Sequence, residues 1–498
     1  MWPGCSAATS THCSPAACPE RRIAHYEEEV PHVTRDSLLL DAAHWQRRLA
    51  ELAGRCRVPG AVVGVLRVGA GGAGDDVVLA AHGVLSKGTG VGVTEDSVFQ
   101  IGSITKVWTA TLAMQLVDEG VLDLATPVVE VLPELRLSDA EVTKQVTVRH
   151  LLTHTSGIDG DVFTDTGRGD DCLERYAARL GEAGQNHPVG ATFSYCNSGF
   201  SLLGRVVEKV TGQTWDQALR ERLIVPLGLA RTVTLPEEAL LHRAAVGHVA
   251  EGDAEPAPAP VWGLPRSAGP AGLVTAAAGD VLAFARAHLT GGLAADGTRV
   301  LSEASAAAMA AHQTDLPDRY TLGDSWGLGW IRFGWGGHRL LGHDGNTIGQ
   351  SAFLRLLPEQ GLAVVLLTNG GHAADLYEDL FREIFAEVAG VALPAPLAPA
   401  AAPPEIDGSR HVGLYERSGA RIEVAEAERG LRLTHTVTGP LASLTPSPVR
   451  EFDLVPVEDG LYVCRTPGSK AWTPVTFYAL STGEAYVHFE ARANPKAG

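Results

Sequence analysis

The chain has 498 residues, of which 45% are hydrophobic, so it can form roughly two or three domains with packed cores. Its formal net charge of −18 argues against nucleic acids and anionic membrane surfaces as partners and otherwise mainly implies solubility. No apolar run reaches transmembrane length. We therefore expect neither a nucleic-acid nor a membrane partner, whereas the composition leaves the oligomeric state open.

The first residues carry neither a basic segment nor an apolar one, so they are not a recognisable signal peptide. The chain has seven cysteines, at positions 5, 13, 18, 56, 172, 196 and 464. An odd and dispersed set is typical of free thiols in a reducing compartment, which favours the cytoplasm. Residues 1–34 are expected to be a disordered leader. A start codon assigned upstream of the true one is the alternative for this segment.

In chain order, the pattern predicts a helix over residues 41–56 and strands over 61–68 and 77–84. The glycine-rich segment 69–74 formally fits G-x-G-x-x-G. A strand follows it, however, instead of the helix that would bind a pyrophosphate, so we interpret it as a hairpin loop.

The tetrapeptide Ser103-Ile104-Thr105-Lys106 begins the next predicted helix. A serine hydroxyl needs a base within hydrogen-bond reach, and positions i and i+3 share a helix face, so Lys106 can reach the Ser103 oxygen. At a helix N-terminus, unpaired N–H groups favour developing negative charge. Alone the motif is weak, because a helix cap followed by a solvated lysine has the same pattern.

A second motif is Tyr195-Cys196-Asn197. A tyrosine beside a lysine can share its proton, and an asparagine can hold a substrate amide. A third is His343-Asp344-Gly345, where a glycine on an edge strand would let a substrate backbone approach closely. The N–H of the following Asn346 could join that of Ser103 in an oxyanion hole.

In this order, the three motifs resemble those of the serine β-lactamase, penicillin-binding-protein and esterase superfamily, on its class C side. The resemblance covers about residues 40–392. Because His343 stands where β-lactamases keep a lysine, it points towards esterases, D-amino-acid peptidases and acyltransferases. The implied site residues are Ser103, Lys106 and Tyr195 as catalytic groups, Asn197, His343 and Gly345 as substrate-binding groups, and the N–H groups of Ser103 and Asn346 as the oxyanion hole. Whether Lys106 or Tyr195 is the general base is left open.

Further along the chain, a mostly helical pattern gives way to strands at 326–333, 339–342, 351–357 and 362–368 and to a helix at 375–388. We therefore expect two lobes over 35–393, α/β in one and all-α in the other, and the resemblance implies a β-lactamase/transpeptidase-like fold. The α/β lobe is predicted to comprise 35–122 and 290–393, and the helical lobe 123–289. In the family, the active site lies in the cleft between such lobes.

Residues 394–404 form a Pro/Ala-rich linker, after which the hydrophobic period becomes two. Short strands between Gly, Pro and Ser turns predict an antiparallel β-barrel over 405–498, which resembles the lipocalin-like domain that some relatives append. Its role could be to stabilise the chain or to line the cleft, because pockets often form at domain interfaces.

No G-x-S-x-G elbow and no H-E-x-x-H motif occurs in the sequence. His150 and His154 lie at i and i+4 without a third ligand, so we interpret them as structural and expect no metal and no cofactor.

The predicted function is that of a serine hydrolase or acyltransferase that forms a Ser103 acyl-enzyme with an ester or amide, including D-amino-acid-containing peptides. The expected partner is thus a small-molecule or peptide substrate. The alternative is a penicillin-binding-protein-type thioesterase that cyclises a nonribosomal peptide. A β-lactamase, a DD-carboxypeptidase and a non-catalytic binding protein are less favoured.

Overall fold

The computed structural model describes residues 41–69, 74–250, 254–428, 430–439, 442, 447–466 and 469–497. The predicted leader 1–34 and the middle of the predicted hairpin loop, 70–73, lie outside them. Within the described ranges, no helix is long and apolar enough to cross a membrane.

An eight-stranded antiparallel sheet, here the catalytic sheet, is the centre of the first unit. From edge to edge its strands are Asp76–Gly83, Gly60–Arg67, Leu362–Thr368, Ser351–Leu357, His338–Asn346, Ile331–Trp335, Ser325–Trp326 and Thr314–Asp315. Because Gly60–Arg67 pairs with Leu362–Thr368, the beginning and the end of this unit belong to one sheet. The strands predicted at 61–68, 77–84, 351–357 and 362–368 are present with nearly the predicted bounds.

Helices cover both faces of the catalytic sheet, which explains why its central strands are buried almost throughout. Successive residues point to opposite faces, so Val62 and Val63 belong to different apolar cores. The helices are Thr105–Asp118 (the serine helix) and Ala278–Leu289 on one side, and Ala42–Arg55 and Ala373–Ile384 on the other.

The helix Ala278–Leu289 lies on the sheet, although its sequence position falls within the predicted helical lobe 123–289. A Cβ atom at Gly64 would lie 2.8 Å from Leu282 Cδ1, so the helix approaches the strand closely. Trp108 of the serine helix stacks on Phe284 with ring centroids 4.1 Å apart. These contacts join the serine helix to the sheet through a shared core.

The helical lobe fills the middle of the chain. Its helical segments are Val128–Val131, Ala140–Gln145, Val148–Leu152, Cys172–Arg179, Leu180–Glu182, Asn197–Thr211, Trp215–Leu219, Arg220–Ile224, Pro236–Ala239, Arg266–Ala268 and Gly269–Gly272. Two small sheets accompany them, Val98–Gln100 with Thr275–Ala277 and Thr232–Val233, and His248–Val249 with Ala257–Pro258. The longest helix, Asn197–Thr211, buries Phe200 and Leu203 and ends at Gly212, whose φ of 70° suits a glycine cap.

The remaining helical segments of the first unit are Gly102–Ile104, Glu303–Ala310, Pro358–Gln360 and Phe385–Ala389. After the linker comes the short turn Ser409–His411.

The C-terminal strands form the predicted antiparallel β-barrel, in the order of the sequence. They are Gly413–Arg417, Ala420–Ala427, Gly430–Val437, Val449–Glu458, Leu461–Cys464, Thr473–Ala479, Ala485–Phe489 and Arg492–Pro495. A bridge between Tyr415 and Lys496 nearly closes the barrel. Burial alternates along Ala420–Ala427, as the period of two predicts, and the interior is packed with apolar side chains such as Phe477.

Candidate active site

Ser103 lies in a tight turn, Gly102–Ile104, that leads directly into the serine helix. Gly102 has a φ of 51°, which L-residues rarely adopt. A Cβ atom there would lie 2.5 Å from the backbone nitrogen of Asn346. The glycine therefore lets the serine turn rest against the strand that carries the third motif.

Lys106 is completely buried beside the serine, as the i, i+3 spacing predicts. Its Nζ lies 2.9 Å from Ser103 Oγ and 2.6 Å from the carbonyl oxygen of Ala271. Burial lowers the pKa of Lys106 well below its usual value, and the nearby Arg492 lowers it further. Both hydrogen-bond partners of the amine are neutral, so the site favours an uncharged lysine.

The ring of Tyr195 lies next to this pair, with its centroid 4.9 Å from Lys106 Nζ. Burial raises the pKa of Tyr195, and the nearby Ser103 side chain offsets this only in part, so the phenol keeps its proton near neutral pH. The first two sequence motifs are thus in contact through Ser103.

His343 is buried on the strand His338–Asn346, with its ring centroid 6.2 Å from that of Tyr195. Its Nδ1 lies 2.7 Å from the carbonyl oxygen of Asp344, so Nδ1 carries the proton and donates it to that bond. Burial lowers the pKa of His343 to about 3, and the nearby Lys106 contributes to this shift. At neutral pH the residue is an uncharged imidazole, and its buried Nε2 has no hydrogen-bond partner among the described residues.

Asp344 faces away from His343, as adjacent residues on a strand do. Its carboxylate oxygens accept hydrogen bonds from Arg355, at 2.5 and 3.0 Å. Arg355 is itself buried, and its guanidinium lies 4.1 Å from the ring of Phe333. The Asp344 side chain therefore stabilises the strand on one face, and His343 lies on the opposite face, towards the cleft.

The glycine of the third motif has a different neighbour from the one the sequence suggested. We expected Gly345 to make room for a substrate, but a Cβ atom there would lie 1.9 Å from the carbonyl oxygen of Ile101 and 2.9 Å from Ser103 N. The serine segment of the chain itself occupies this space. As a result, the backbone nitrogens of Ser103 and Asn346 lie on adjacent segments, which is the arrangement an oxyanion hole requires.

Asn197 lies at the start of the helix Asn197–Thr211, next to the cleft. Its side-chain nitrogen is 3.5 Å from Asp161 Oδ1, a long contact. Asp161 had not been singled out from the sequence. The structure thus connects this predicted substrate-binding residue to a buried acidic group.

The two histidines that we interpreted as structural have separate tasks. His150 caps its own helix, because its Nδ1 accepts a hydrogen bond from Thr147 N at 3.1 Å. His154 stacks on Tyr195 with ring centroids 4.3 Å apart, and its Nδ1 accepts from Cys196 N at 2.9 Å. His154 therefore supports the Tyr195 segment from behind. Across the described part of the chain, no group of three or more His, Cys, Asp or Glu residues is arranged to hold a metal.

Arg492, in the last strand of the barrel, is the site residue that sequence reasoning missed most clearly. Its guanidinium carbon lies 5.1 Å from the centroid of the Tyr195 ring, and Nη2 is 2.7 Å from Asp161 Oδ1. No local pattern marks either residue, because the contact joins two distant parts of the chain. The barrel therefore contacts the segment that carries the tyrosine motif.

Comparison with known proteins agrees with this geometry. The Beta-lactamase family model matches residues 45–389. Penicillin-binding protein 4 of Amycolatopsis lactamdurans is 51% identical over 381 residues, which are 76% of this chain and 98% of that protein. The crystal structure of SurE is 30% identical with a TM-score of 0.73 and covers 92% of this chain and 99% of its own; SurE has also been solved with D-Leu.

The D-amino acid amidase from Ochrobactrum anthropi SV3, solved with L-phenylalanine amide, shares the fold of the first unit. It has a TM-score of 0.56 and 23% identity, over 69% of this chain and 99% of that one. The predicted β-lactamase/transpeptidase-like fold with a C-terminal barrel is confirmed.

Proposed function

Since this chain belongs to the Beta-lactamase family and is a serine hydrolase, we propose that it transfers the acyl group of an ester or amide through a Ser103 acyl-enzyme. The observation that carries the proposal is the contact of 2.9 Å between Ser103 Oγ and the buried amine of Lys106. A serine next to an uncharged amine has the base that its activation needs.

In the acylation step, Lys106 takes the hydroxyl proton while Ser103 Oγ forms a bond to the substrate carbonyl carbon. The negative charge that develops on the carbonyl oxygen is stabilised by the N–H groups of Ser103 and Asn346. We assign the base to Lys106 because burial favours its uncharged form, whereas burial favours the protonated form of Tyr195.

Tyr195 then acts as the acid. It gives its proton to the leaving group as the bond from that group to the carbonyl carbon breaks, and Lys106 returns the serine proton to the phenolate. In deacylation the incoming nucleophile loses its proton to Lys106 as it attacks the ester carbon. The bond from that carbon to Ser103 Oγ then breaks, and the proton passes from Lys106 to Ser103 Oγ, which restores the free enzyme. His343 and Asn197 would orient the substrate at the two sides of the cleft.

The chemistry of His343 supports a substrate without a carboxylate next to the scissile bond. A neutral imidazole with a pKa of about 3 offers an acceptor or a donor but no positive charge. This favours esters, thioesters and D-amino-acid amides over β-lactams. The similarity to SurE, which has been solved with D-Leu, and the shared fold of a D-amino acid amidase support the D configuration.

A second candidate is a thioesterase that cyclises a nonribosomal peptide. It is favoured by the barrel, which packs against the tyrosine motif and is included in the match to SurE over 92% of this chain. A wall that restricts water would let the amine of the acyl chain compete as the nucleophile.

The two functions are separated by offering the purified protein a simple ester, a D-amino-acid amide, a cephalosporin and a peptidyl thioester. Intact mass should show an acyl adduct on the parent and none on Ser103→Ala. Cyclic product from the thioester would support the cyclase, and hydrolysis of all acylating substrates would support the hydrolase. Turnover by Ser103→Ala would contradict both.

We also propose a cytoplasmic location. The four cysteines within the described residues, Cys56, Cys172, Cys196 and Cys464, are all unpaired and buried, which suits a reducing compartment. Fractionation of the native host followed by immunodetection would test this, and recovery from the extracellular fraction would contradict it.

A further inference from the structure

The last hairpin of the barrel reaches the catalytic tyrosine motif. We call its two strands, Ala485–Phe489 and Arg492–Pro495, the docking hairpin. Tyr195 N donates a hydrogen bond to the carbonyl oxygen of Ala491 at 2.9 Å, and Ala493 N donates to Ser194 Oγ at 3.1 Å. The hairpin thus adds backbone hydrogen bonds directly to the segment that carries the tyrosine.

The turn of the docking hairpin has an unusual backbone. Glu490 and Ala491 have φ angles of 48° and 63°, a left-handed conformation for which Gly and Asn are the usual residues. Such strain persists only where surrounding contacts hold it, and it often occurs next to functional sites. Here the holding contact is the bond from Tyr195 to Ala491, so the strained turn and the catalytic motif support each other.

Arg492 follows this turn and is held by a buried cluster of charges. Its Nη2 donates to Asp161 Oδ1 at 2.7 Å, and Arg417 Nη2 lies 2.8 Å from Asp161 Oδ2. Asp159, almost fully buried, lies 3.2 Å from Arg417 Nη1. Burial opposes the ionisation of Asp161, but the two arginines outweigh it and lower its pKa to about 2.

From this geometry we propose that Arg492 of the barrel is a positioning residue of the catalytic site, which holds the Tyr195 ring in place and keeps the adjacent Lys106 amine unprotonated. The guanidinium lies 5.1 Å and the amine 4.9 Å from the same ring centroid. A fixed positive charge on the same ring as Lys106 makes a second positive charge there less favourable. The barrel is therefore a component of the catalytic apparatus.

The other groups around Lys106 act in known directions. Burial lowers the pKa of Lys106 most, and Arg492 lowers it further, whereas Cys196 and Asp161 raise it. His154 and His343 have their own pKa values lowered by burial first, so they stay uncharged near neutral pH. Among these neighbours, Arg492 is the cation that acts on the lysine at working pH.

Docking alone does not require this arrangement. The barrel is also attached through Asp318, whose Oδ2 lies 2.9 Å from His488 Nδ1 in a buried contact. The Asp318–His488 contact attaches the barrel without Arg492. Arg492 instead lies against the ring of Tyr195, next to Lys106 and Ser103.

The inference rests on Lys106 as the base of the proposed function, and the rate of Ser103 labelling by a fluorophosphonate measures both across a pH series. The parent should lose reactivity at low pH as Lys106 becomes protonated. In Arg492→Gln this acid limb should move to higher pH, with about tenfold slower labelling within the limb and recovery at alkaline pH. In Asp161→Asn it should move to lower pH, because a negative charge near the amine is lost.

Arg492→Lys keeps the charge and should keep the position of the limb, which also tests the inference if the glutamine variant does not fold. The matched control is Arg432→Gln, an exposed arginine of the same barrel that pairs with Asp453, and its profile should equal that of the parent. A limb that stays in place in Arg492→Gln, or a loss equal at every pH, would overturn the inference. A parent that is not labelled at Ser103 would instead overturn the proposed function.

Discussion

Two basic side chains, the buried Lys106 and the largely buried Arg492, lie against the ring of Tyr195, and their surroundings affect their charges in opposite ways. Lys106 Nζ has only neutral hydrogen-bond partners, a hydroxyl and a carbonyl oxygen. Arg492 has the carboxylate of Asp161 at 2.7 Å, and although burial opposes its charge, Asp161 raises the pKa of the guanidinium. One positive charge is removed by its surroundings and the other is preserved by them.

The difference follows from what each side chain can do when it leaves water. A buried lysine can release its proton and become neutral, which makes it a base. A guanidinium stays protonated, so a buried arginine needs a carboxylate and then serves as a fixed charge. In the proposed mechanism, the hydrogen-bond partner of each cation therefore decides which of the two can act as the base.

The largest expected effect comes from breaking the preserved pair. Asp161→Asn leaves Arg492 without a carboxylate partner in a largely buried site, while Arg417 keeps Asp159. Removal of one member of a buried ion pair typically costs about 3–5 kcal/mol of unfolding free energy. Urea unfolding of the parent and the variant measures this. In Asp161→Asn/Arg492→Gln the loss should be smaller, because fewer charges remain unpaired. An equal or larger loss in the double variant would contradict the comparison.

Replacing Lys106 by a residue that always carries a positive charge should slow catalysis. Lys106→Arg places a group that stays protonated next to Ser103, so it can no longer accept the serine proton. We expect acylation to slow by at least about a hundredfold, the scale of a positioned base, with little change in the binding of a substrate analogue. Pre-steady-state acylation of the folded variant is the measurement.

The control for this prediction is Lys106→Met, which should be equally inactive yet at least as stable as the parent, because an apolar side chain needs no partner in a buried site. An acylation rate of the arginine variant within a few-fold of the parent would transfer the role of base to Tyr195.

The comparison of Lys106 with Arg492 also shows which contacts could be predicted from the sequence. The contact of Lys106 with Ser103 is local, since it depends on the i, i+3 spacing of a tight turn and the helix that follows it, and a spacing rule is sufficient to predict it. The barrel was equally accessible because its strands alternate with a period of two. Motif order brought Tyr195 and His343 into the prediction.

The pairing of Arg492 with Asp161 had no such signal. It depends on how the barrel is oriented on the helical lobe, and neither residue lies in a recognisable pattern. The approach of Ile101 to Gly345 had no sequence signal either, because the two residues lie in distant segments. That Gly345 binds the substrate stays a prediction. Long-range packing is the part that sequence patterns leave undetermined.

A partly buried histidine, His288, extends the rule for Lys106 to protein stability. His288 packs against Phe284 and Trp330, and burial lowers its pKa from the usual 6.5 to about 3. Between pH 3 and pH 6.5 the unfolded chain binds a proton at His288 that the folded protein does not bind. The titration of His288 therefore leaves the unfolding free energy unaffected above pH 6.5 and decreases it as the pH falls towards 3.

At pH 5 the loss from His288 amounts to about 2 kcal/mol relative to pH 7. His288→Gln should therefore reduce the fall in unfolding free energy between pH 7 and pH 5 by about that amount, as measured by urea titrations at the two pH values. His312→Gln, at an exposed position, is the control. An unchanged fall in His288→Gln would show that the imidazole does not stay neutral in the folded protein.

The smallest effect is expected where a charge pair never leaves water. Arg55 Nη2 lies 2.6 Å from Asp379 Oδ2, a shorter contact than that between Arg492 and Asp161, but the two side chains are 54% and 39% exposed. Water screens both charges and solvates either one alone, so Asp379→Asn should change the unfolding free energy by at most about 1 kcal/mol. Urea unfolding measures this under the conditions used for Asp161→Asn, the same substitution in a buried site. A loss at Asp379 as large as that at Asp161 would mean that distance, and not burial, sets the value of these pairs.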